Sequence, residues 1–162
     1  MSVDITDLTP WQQPETIIAA LQCRHIAIVG MSSNELRASN FVGYYMHRNG
    51  YHVTPVNPRE EEIYGLQCYP TLQDVPTQID VVDVFRDSSA VPEIARAAVE
   101  IGAKYMWLQF GVVSAEGIAI AQEGGVRCIV DKCIKIEHAR YQGRMHWLGF
   151  NTQRISAQRE RD

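Results

Sequence analysis

The sequence predicts an α/β fold in three layers, a parallel sheet of about five strands between two layers of helix. Three observations lead there. Short apolar runs without charge recur along the chain, as strands buried on both faces require. Amphipathic helical segments separate them, the pattern of successive βαβ units. The run from Ile26 to Arg59, IAIVGMSSNELRASNFVGYYMHRNGYHVTPVNPR, passes from a strand through Gly30 and a small-residue loop to an amphipathic segment and a second strand. That is how a nucleotide-binding unit opens.

Pro14 to Cys23 reads as a leading helix with Ile17, Ile18 and Leu21 inward and Pro14 at its start. Ile26 to Val29 is an uncharged, central strand. Ser39 to Asn49 is a helix whose Phe41, Val42, Tyr45 and Met46 make the buried face. Gly50 suits its left-handed cap. Tyr51 to Val56 is the second strand, closed by Pro58. Ile63 to Tyr69 holds a turn at Gly65, and Leu72 to Val75 one helical turn. Ile79 to Phe85 is the third strand. Ser88 or Ser89 caps the next helix, with Ile94, Ala97, Ala98 and Ile101 inward and Gly102 ending it. Lys104 to Gln109 is the fourth strand. Ser114 caps a helix through Glu123, and Val126 to Val130 is the fifth strand. Ile134 to Ala139 makes one or two helical turns, and Gln153 to Asp162 is polar and frayed. Right-handed crossovers and a switch point after the first strand give a Rossmann-like sheet of order 3-2-1-4-5. The whole chain, 1–162, reads as one domain, with a core at about 15–140 and an extension at 141–162.

Apolar residues make up 46% and charged residues 21% of 162 residues, ordinary for one soluble domain. A net charge of −4 gives no support to general nucleic-acid binding while leaving room for a local phosphate site. No apolar run approaches a membrane span and no signal peptide is visible. Cys23, Cys68, Cys128 and Cys133 lack disulfide-scaffold or zinc spacing. The expectation is a cytoplasmic protein with free thiols and no structural metal. Met145, Trp147, Leu148 and Phe150 form an apolar cluster that either folds back on the sheet or joins two copies.

Candidate ligand contacts fall at the carboxyl ends of strands, where open α/β sheets bind. After Gly30 come Met31, Ser32, Ser33 and Asn34, a loop whose N–H groups can hold phosphate oxygens, with Arg37 as a positive fork. The loop is neither GxGxxG nor Walker A, and a plain strand-to-helix turn is the competing account. A β-branched side chain at Gly30 would fill the space where a diphosphate passes. The second strand ends Asn57-Pro58-Arg59 instead of in the acid that holds an NAD ribose. Arg59 suits a phosphate on the sugar, as in NADP or coenzyme A, unless Glu60, Glu61 and Glu62 neutralise it. Pro58 offers a flat face to adenine. Phe85 and Arg86 end the third strand, where a ring can cover an adenine or a pantetheine arm and a guanidinium can face a diphosphate. Gln109, the polar residue at the fourth tip, either bonds pantetheine amides or ties two loops together. Cys133 beside Lys132 is a nucleophile candidate, but nothing visible orients His138 toward it.

These segments, together with KYMWLQFGVVSAEG and DKCIKIEHAR, resemble the small CoA-binding protein family. More remotely they resemble the N-terminal CoA-binding domain of the succinyl-CoA synthetase alpha subunit. The likeness covers about Glu15 to Arg140, and VNPR with GLQCYPTL and DKCIKIEHAR are its specific parts. It implies one Rossmann-like domain that holds the cofactor coenzyme A along the carboxyl edge. The loop from Gly30 to Ser33 would meet the diphosphate, Asn57, Pro58 and Arg59 the adenosine part, and Phe85 and Arg86 the cleft. Members often carry Arg-Pro where this chain has Arg37-Ala38, which removes a fixed dihedral and keeps the loop. The synthetase's histidine chemistry belongs to a second domain, so ligase activity is not implied. The expected function is non-catalytic binding of CoA or an acyl-CoA. An NADP-linked oxidoreductase and a nucleotide-shaped scaffold for a protein partner are the alternatives.

Overall fold

The computed structural model describes residues 3–147. Its main sheet has five parallel strands: β1 (His25–Val29), β2 (His52–Val56), β5 (Val81–Val84), β6 (Tyr105–Leu108) and β7 (Arg127–Val130). A two-residue-stranded hairpin, β3 (Glu62–Ile63) and β4 (Leu66–Gln67), lies apart from it. The helices are α1 (Pro14–Leu21), α2 (Ala38–Arg48), α3 (Val91–Glu100), α4 (Ala115–Glu123) and α5 (Ile134–Trp147).

All five residues of β1 are buried, as its uncharged sequence requires of a central strand. Alternate residues go to opposite layers. Ile26, Ile28, Val53, Val81 and Trp107 pack with Ile17, Leu21, Val42, Met46 and Ile134 of α1, α2 and α5. Ala27, Val29, Val82, Met106 and Leu108 pack with Ile94, Ala98, Ile118 and Ala121 of α3 and α4. Ser114 caps α4 as its sequence predicts, its Oγ accepting from the Gly117 N–H at 3.0 Å.

The strand order is β2-β1-β5-β6-β7. Counting main-sheet strands along the chain, that is 2-1-3-4-5 and not the expected 3-2-1-4-5. The cause lies between β2 and β5. Leu72 and Ile79 of this connection join the core on the α3 side, opposite α2. A right-handed crossover on that side carries the chain back past β1, so β5 pairs with β1 in the register Ile26↔Val81 to Val29↔Val84. Pro55 enforces the same outcome. Its carbonyl accepts from the Tyr69 N–H at 3.1 Å on the outer side of β2. A proline has no N–H to offer there, so no full strand can be added. The switch point therefore falls between β1 and β5.

Three local expectations also change. Phe41 is 46% exposed, because α2 turns Ser39, Asn40, Val42, Gly43 and Met46 inward. A side chain at Gly43 would lie 2.5 Å from Met31 Cε, so small residues let α2 close on the first loop. Ser88 and Ser89 do not cap α3. A 3-10 turn at Ser88–Ala90 makes Ala90 the N-cap, and Ser88 Oγ accepts from the Val113 N–H at 3.0 Å. The last helix runs 14 residues rather than one or two turns. Its buried stripe includes Glu137 and His138, which hydrophobic periodicity does not register. The Tyr45 hydroxyl and His138 Nδ1 share a 2.8 Å hydrogen bond that seats α5 on α2. The cluster Met145, Trp147, Leu148 and Phe150 falls outside the residues whose side chains are described.

Candidate functional site

The carboxyl edge of the sheet is joined at the switch point by close packing of its own strands. Gly30 has φ +88°, and a Cβ there would stand 2.6 Å from the Phe85 carbonyl oxygen and 2.9 Å from Arg86 Cδ. The glycine is thus required by the protein itself. A side chain here would clash with the residues that follow β5, apart from any ligand space it would fill. The Gly30 N–H donates to Val56 O at 2.8 Å and the Phe85 N–H to Val29 O at 2.9 Å, which ties all three tips together.

The loop after Gly30 satisfies most of its own donors. The Ser32 N–H donates to Ser39 Oγ at 3.1 Å, Asn34 N–H to Ser32 Oγ at 3.0 Å, and Leu36 N–H to Asn34 Oδ1 at 2.9 Å. Ser32 and Asn34 thus act as turn-forming groups, each accepting from the main chain two residues on. Met31 is fully buried and belongs to the core, with only its main chain at the edge. The Ser33 N–H differs, donating at 2.8 Å to Glu60 Oε2, a carboxylate from another segment. The Ser33 hydroxyl and then its N–H hold the Glu60 carboxyl below the usual range. Arg37 is exposed at the N-cap position of α2.

Asn57 is a strut. Its Nδ2 donates to Met31 O at 2.9 Å and its Oδ1 accepts from the Arg59 N–H at 2.9 Å, so it binds the first loop to the second. Pro58 and Arg59 are exposed, and among the described residues the Arg59 guanidinium makes no ion pair with the neighbouring glutamates. The β3–β4 hairpin buttresses the same region. Tyr64 OH donates to Asn40 Oδ1, and Asn40 Nδ2 donates to Ser32 O at 2.8 Å.

Two cavities flank the tip of β5. One, of about 290 Å³, lies on the α3 side and is lined by Val29, Val56, Pro70, Thr71, Arg86 and Arg96 among others. The second, of about 450 Å³, lies between α2, α5 and the tips of β5 and β6. Phe41, Phe85, Arg86, Gln109, Phe110 and Cys133 line it, with Val42, Val112 and Ile136. Arg86 borders both. Phe110 and Ile136 at this rim, and Phe41 opposite, are not among the ligand contacts the sequence suggests; for Phe110, a ring beside a strand tip was the available signal.

Gln109 is buried, donates from Nε2 to Asp83 Oδ1, and accepts at Oε1 from the Ile134 N–H at 3.3 Å. Of its two expected roles the structure shows the tie between elements. Asp83 is fully buried with Oδ2 unpaired, and burial pushes its carboxyl well above the usual range. Burial also pushes the Cys128 thiol up to about 12 and Cys68 up to about 11. All four cysteines are free. Among the described residues no His/Cys/Asp/Glu group could hold a metal ion, and no helix is long and apolar enough to cross a membrane.

A parallel sheet of this order, with its loops and cavities gathered at the β1/β5 switch point, defines a doubly wound nucleotide-binding domain. Over residues 24–139 the chain matches the family described as CoA binding domain, and it belongs to that family. It is 37% identical to the uncharacterized Bacillus subtilis protein YneT over 116 residues, 72% of this chain and 86% of that one. A hypothetical protein from Pyrococcus horikoshii OT3 superposes with a TM-score of 0.79 at 34% identity, covering 85% of this chain and 98% of that one. The alpha subunit of ADP-forming acetate–CoA ligase II from Pyrococcus furiosus is 28% identical over 128 residues, 70% of this chain but 27% of the subunit. The chain thus spans about a quarter of that ligase subunit. It is a CoA-binding module, similar over most of its length to one part of an ADP-forming acetate–CoA ligase subunit.

Proposed function

We propose that CoA lies across the carboxyl edge with its diphosphate at Arg86. Its adenosine end points to the smaller cavity and the Asn57-Pro58-Arg59 segment, and its pantetheine arm to the larger cavity. The observation that carries this reading is that one arginine, Arg86, lines both cavities. A ligand with a charged middle and two dissimilar ends suits that layout. Gly30 keeps the tips of β1 and β5 close, Met31 and Asn57 hold the loops in register, and Ser32, Ser33 and Arg37 border the diphosphate. Phe85 borders the arm, and Gln109 stands in the wall of the cavity to which the arm leads. Arg59 reads the phosphate on the adenosine sugar.

In this reading the chain is one CoA-binding domain with a core at about 15–140 and an extension at 141–162. It works in the cytoplasm, where free thiols persist, and has no nucleic-acid partner. Two copies associate through the apolar residues near Trp147. The succinyl-CoA synthetase alpha subunit is its more remote relation.

The test is calorimetric titration with CoA, dephospho-CoA, NAD and NADP, on the native chain and on Arg59→Ala. CoA should bind more tightly than NAD. Arg59→Ala should weaken CoA about tenfold and dephospho-CoA much less, since a charge-assisted bond is worth roughly 1.5–3 kcal/mol. NAD binding as tight as CoA would overturn the reading, and equal losses for both CoA forms would move Arg59 off the sugar phosphate.

A further inference from the structure

We infer that the larger cavity is the seat of an acyl group, so that the chain takes CoA thioesters with acyl chains of several carbons in preference to free CoA. This rests on the proposed placement of CoA along the sheet edge. What can enter is set by what the cavity wall can bond. Val42, Val112 and Cys133 are buried on its floor, and Phe41, Phe110 and Ile136 stand exposed around it. Gln109 is buried in the wall with its amide engaged at both ends, by Asp83 and by the main chain of Ile134. The charged groups, Arg86 and Asp87, are exposed at the rim.

The pantetheine arm carries two amides. Moved into such a cavity without partners, each would lose its hydrogen bonds to water. The amides therefore stay at the rim, beside Arg86, Asp87 and solvent. What enters must be apolar, and in a CoA thioester that is the acyl chain. The space is sufficient. The cavity is about 450 Å³, and one of roughly 150 Å³ already holds a benzene ring. The rim supports the same conclusion. Phe110 is 61% exposed, Phe41 46% and Ile136 44%, three large apolar side chains around one opening. Exposed apolar groups gathered at one place mark a binding site.

The test is a titration series with CoA, acetyl-CoA, butyryl-CoA and hexanoyl-CoA. Affinity should rise with chain length by up to about fourfold per methylene buried. In Ile136→Ser and Phe110→Ser, both substitutions at exposed side chains, the gain per methylene should shrink. If CoA binds and the series is flat or falls with length, the acyl assignment is overturned while the CoA placement stands. If the rise survives undiminished in both variants, the acyl chain lies elsewhere and the assignment is equally overturned. If no member of the series binds, the placement fails and the inference with it.

Discussion

The main-chain N–H of Ser33 donates to the carboxylate of Glu60 at 2.8 Å, across the gap between the loops that follow β1 and β2. The other bonded N–H groups of the first loop are satisfied within the β1–α2 segment, by Ser39, Ser32 and Asn34. A ligand phosphate seeking a donor here meets an anion already in place. In the proposed placement of CoA, Glu60 is a competitor that the diphosphate must displace.

Glu60→Gln should therefore tighten CoA binding. The gain should be roughly twofold to fivefold, the scale of an exposed charge contact. It should shrink at high salt, which screens such contacts. Titration of the variant and the native chain at two ionic strengths checks this. Unchanged or weaker binding would mean that the phosphates never approach Ser33.

Gly30→Ala should destabilise the fold before it affects any ligand. The new Cβ would meet the Phe85 carbonyl at 2.6 Å, in a backbone region that side chains rarely adopt. Strain of this kind costs about 1–3 kcal/mol. Urea denaturation should show the midpoint falling at unchanged slope. A midpoint equal to that of the native chain would mean that the β1 and β5 tips separate without penalty.

Much of this edge was legible because it follows from position. Gly30, Asn57, Phe85 and Arg86 end successive apolar runs, and parallel strands bring such ends together. The order of the strands was not legible in the same way, because a crossover can pass on either side of a sheet and periodicity does not say which. Pro55 did carry the answer, since a proline within a strand marks an edge. Side-chain roles were harder. Ser32, Asn34 and Asn57 look alike as ligand contacts and as turn formers, and only the paths of the chain show them bonding their own loops. The length of α5 was hidden because Glu137 and His138 occupy positions that an apolar stripe would fill.

Asp83→Asn should flatten the dependence of stability on pH. Burial raises the Asp83 carboxyl well above its ordinary value. Above the unfolded-state pKa of about 4, the folded state then holds a proton that the unfolded state has released. This contribution to stability is complete below that value and is lost as pH rises through the folded pKa. Asparagine keeps the shape, still accepts from Gln109, and does not titrate. Thermal denaturation at about pH 5, 7 and 9 should show the native chain losing stability relative to the variant as pH rises. A constant difference at all three would mean that Asp83 is ionised in the fold.

The chain should turn over neither acetyl-CoA nor succinyl-CoA. Cys133 is the residue that puts this to the test, because it lines the cavity proposed for the acyl end. A thiol needs a base to become an efficient nucleophile. The histidine of the same segment, His138, is fully buried and its Nδ1 is paired with the Tyr45 hydroxyl at 2.8 Å. That bond serves the packing of α5 on α2. Incubation with each thioester should release free thiol no faster than buffer, and intact mass should show at most one slowly added acyl group. One such event would reflect proximity alone. Sustained release over many turnovers, abolished by Cys133→Ser, would instead make this edge an acyl-transfer site.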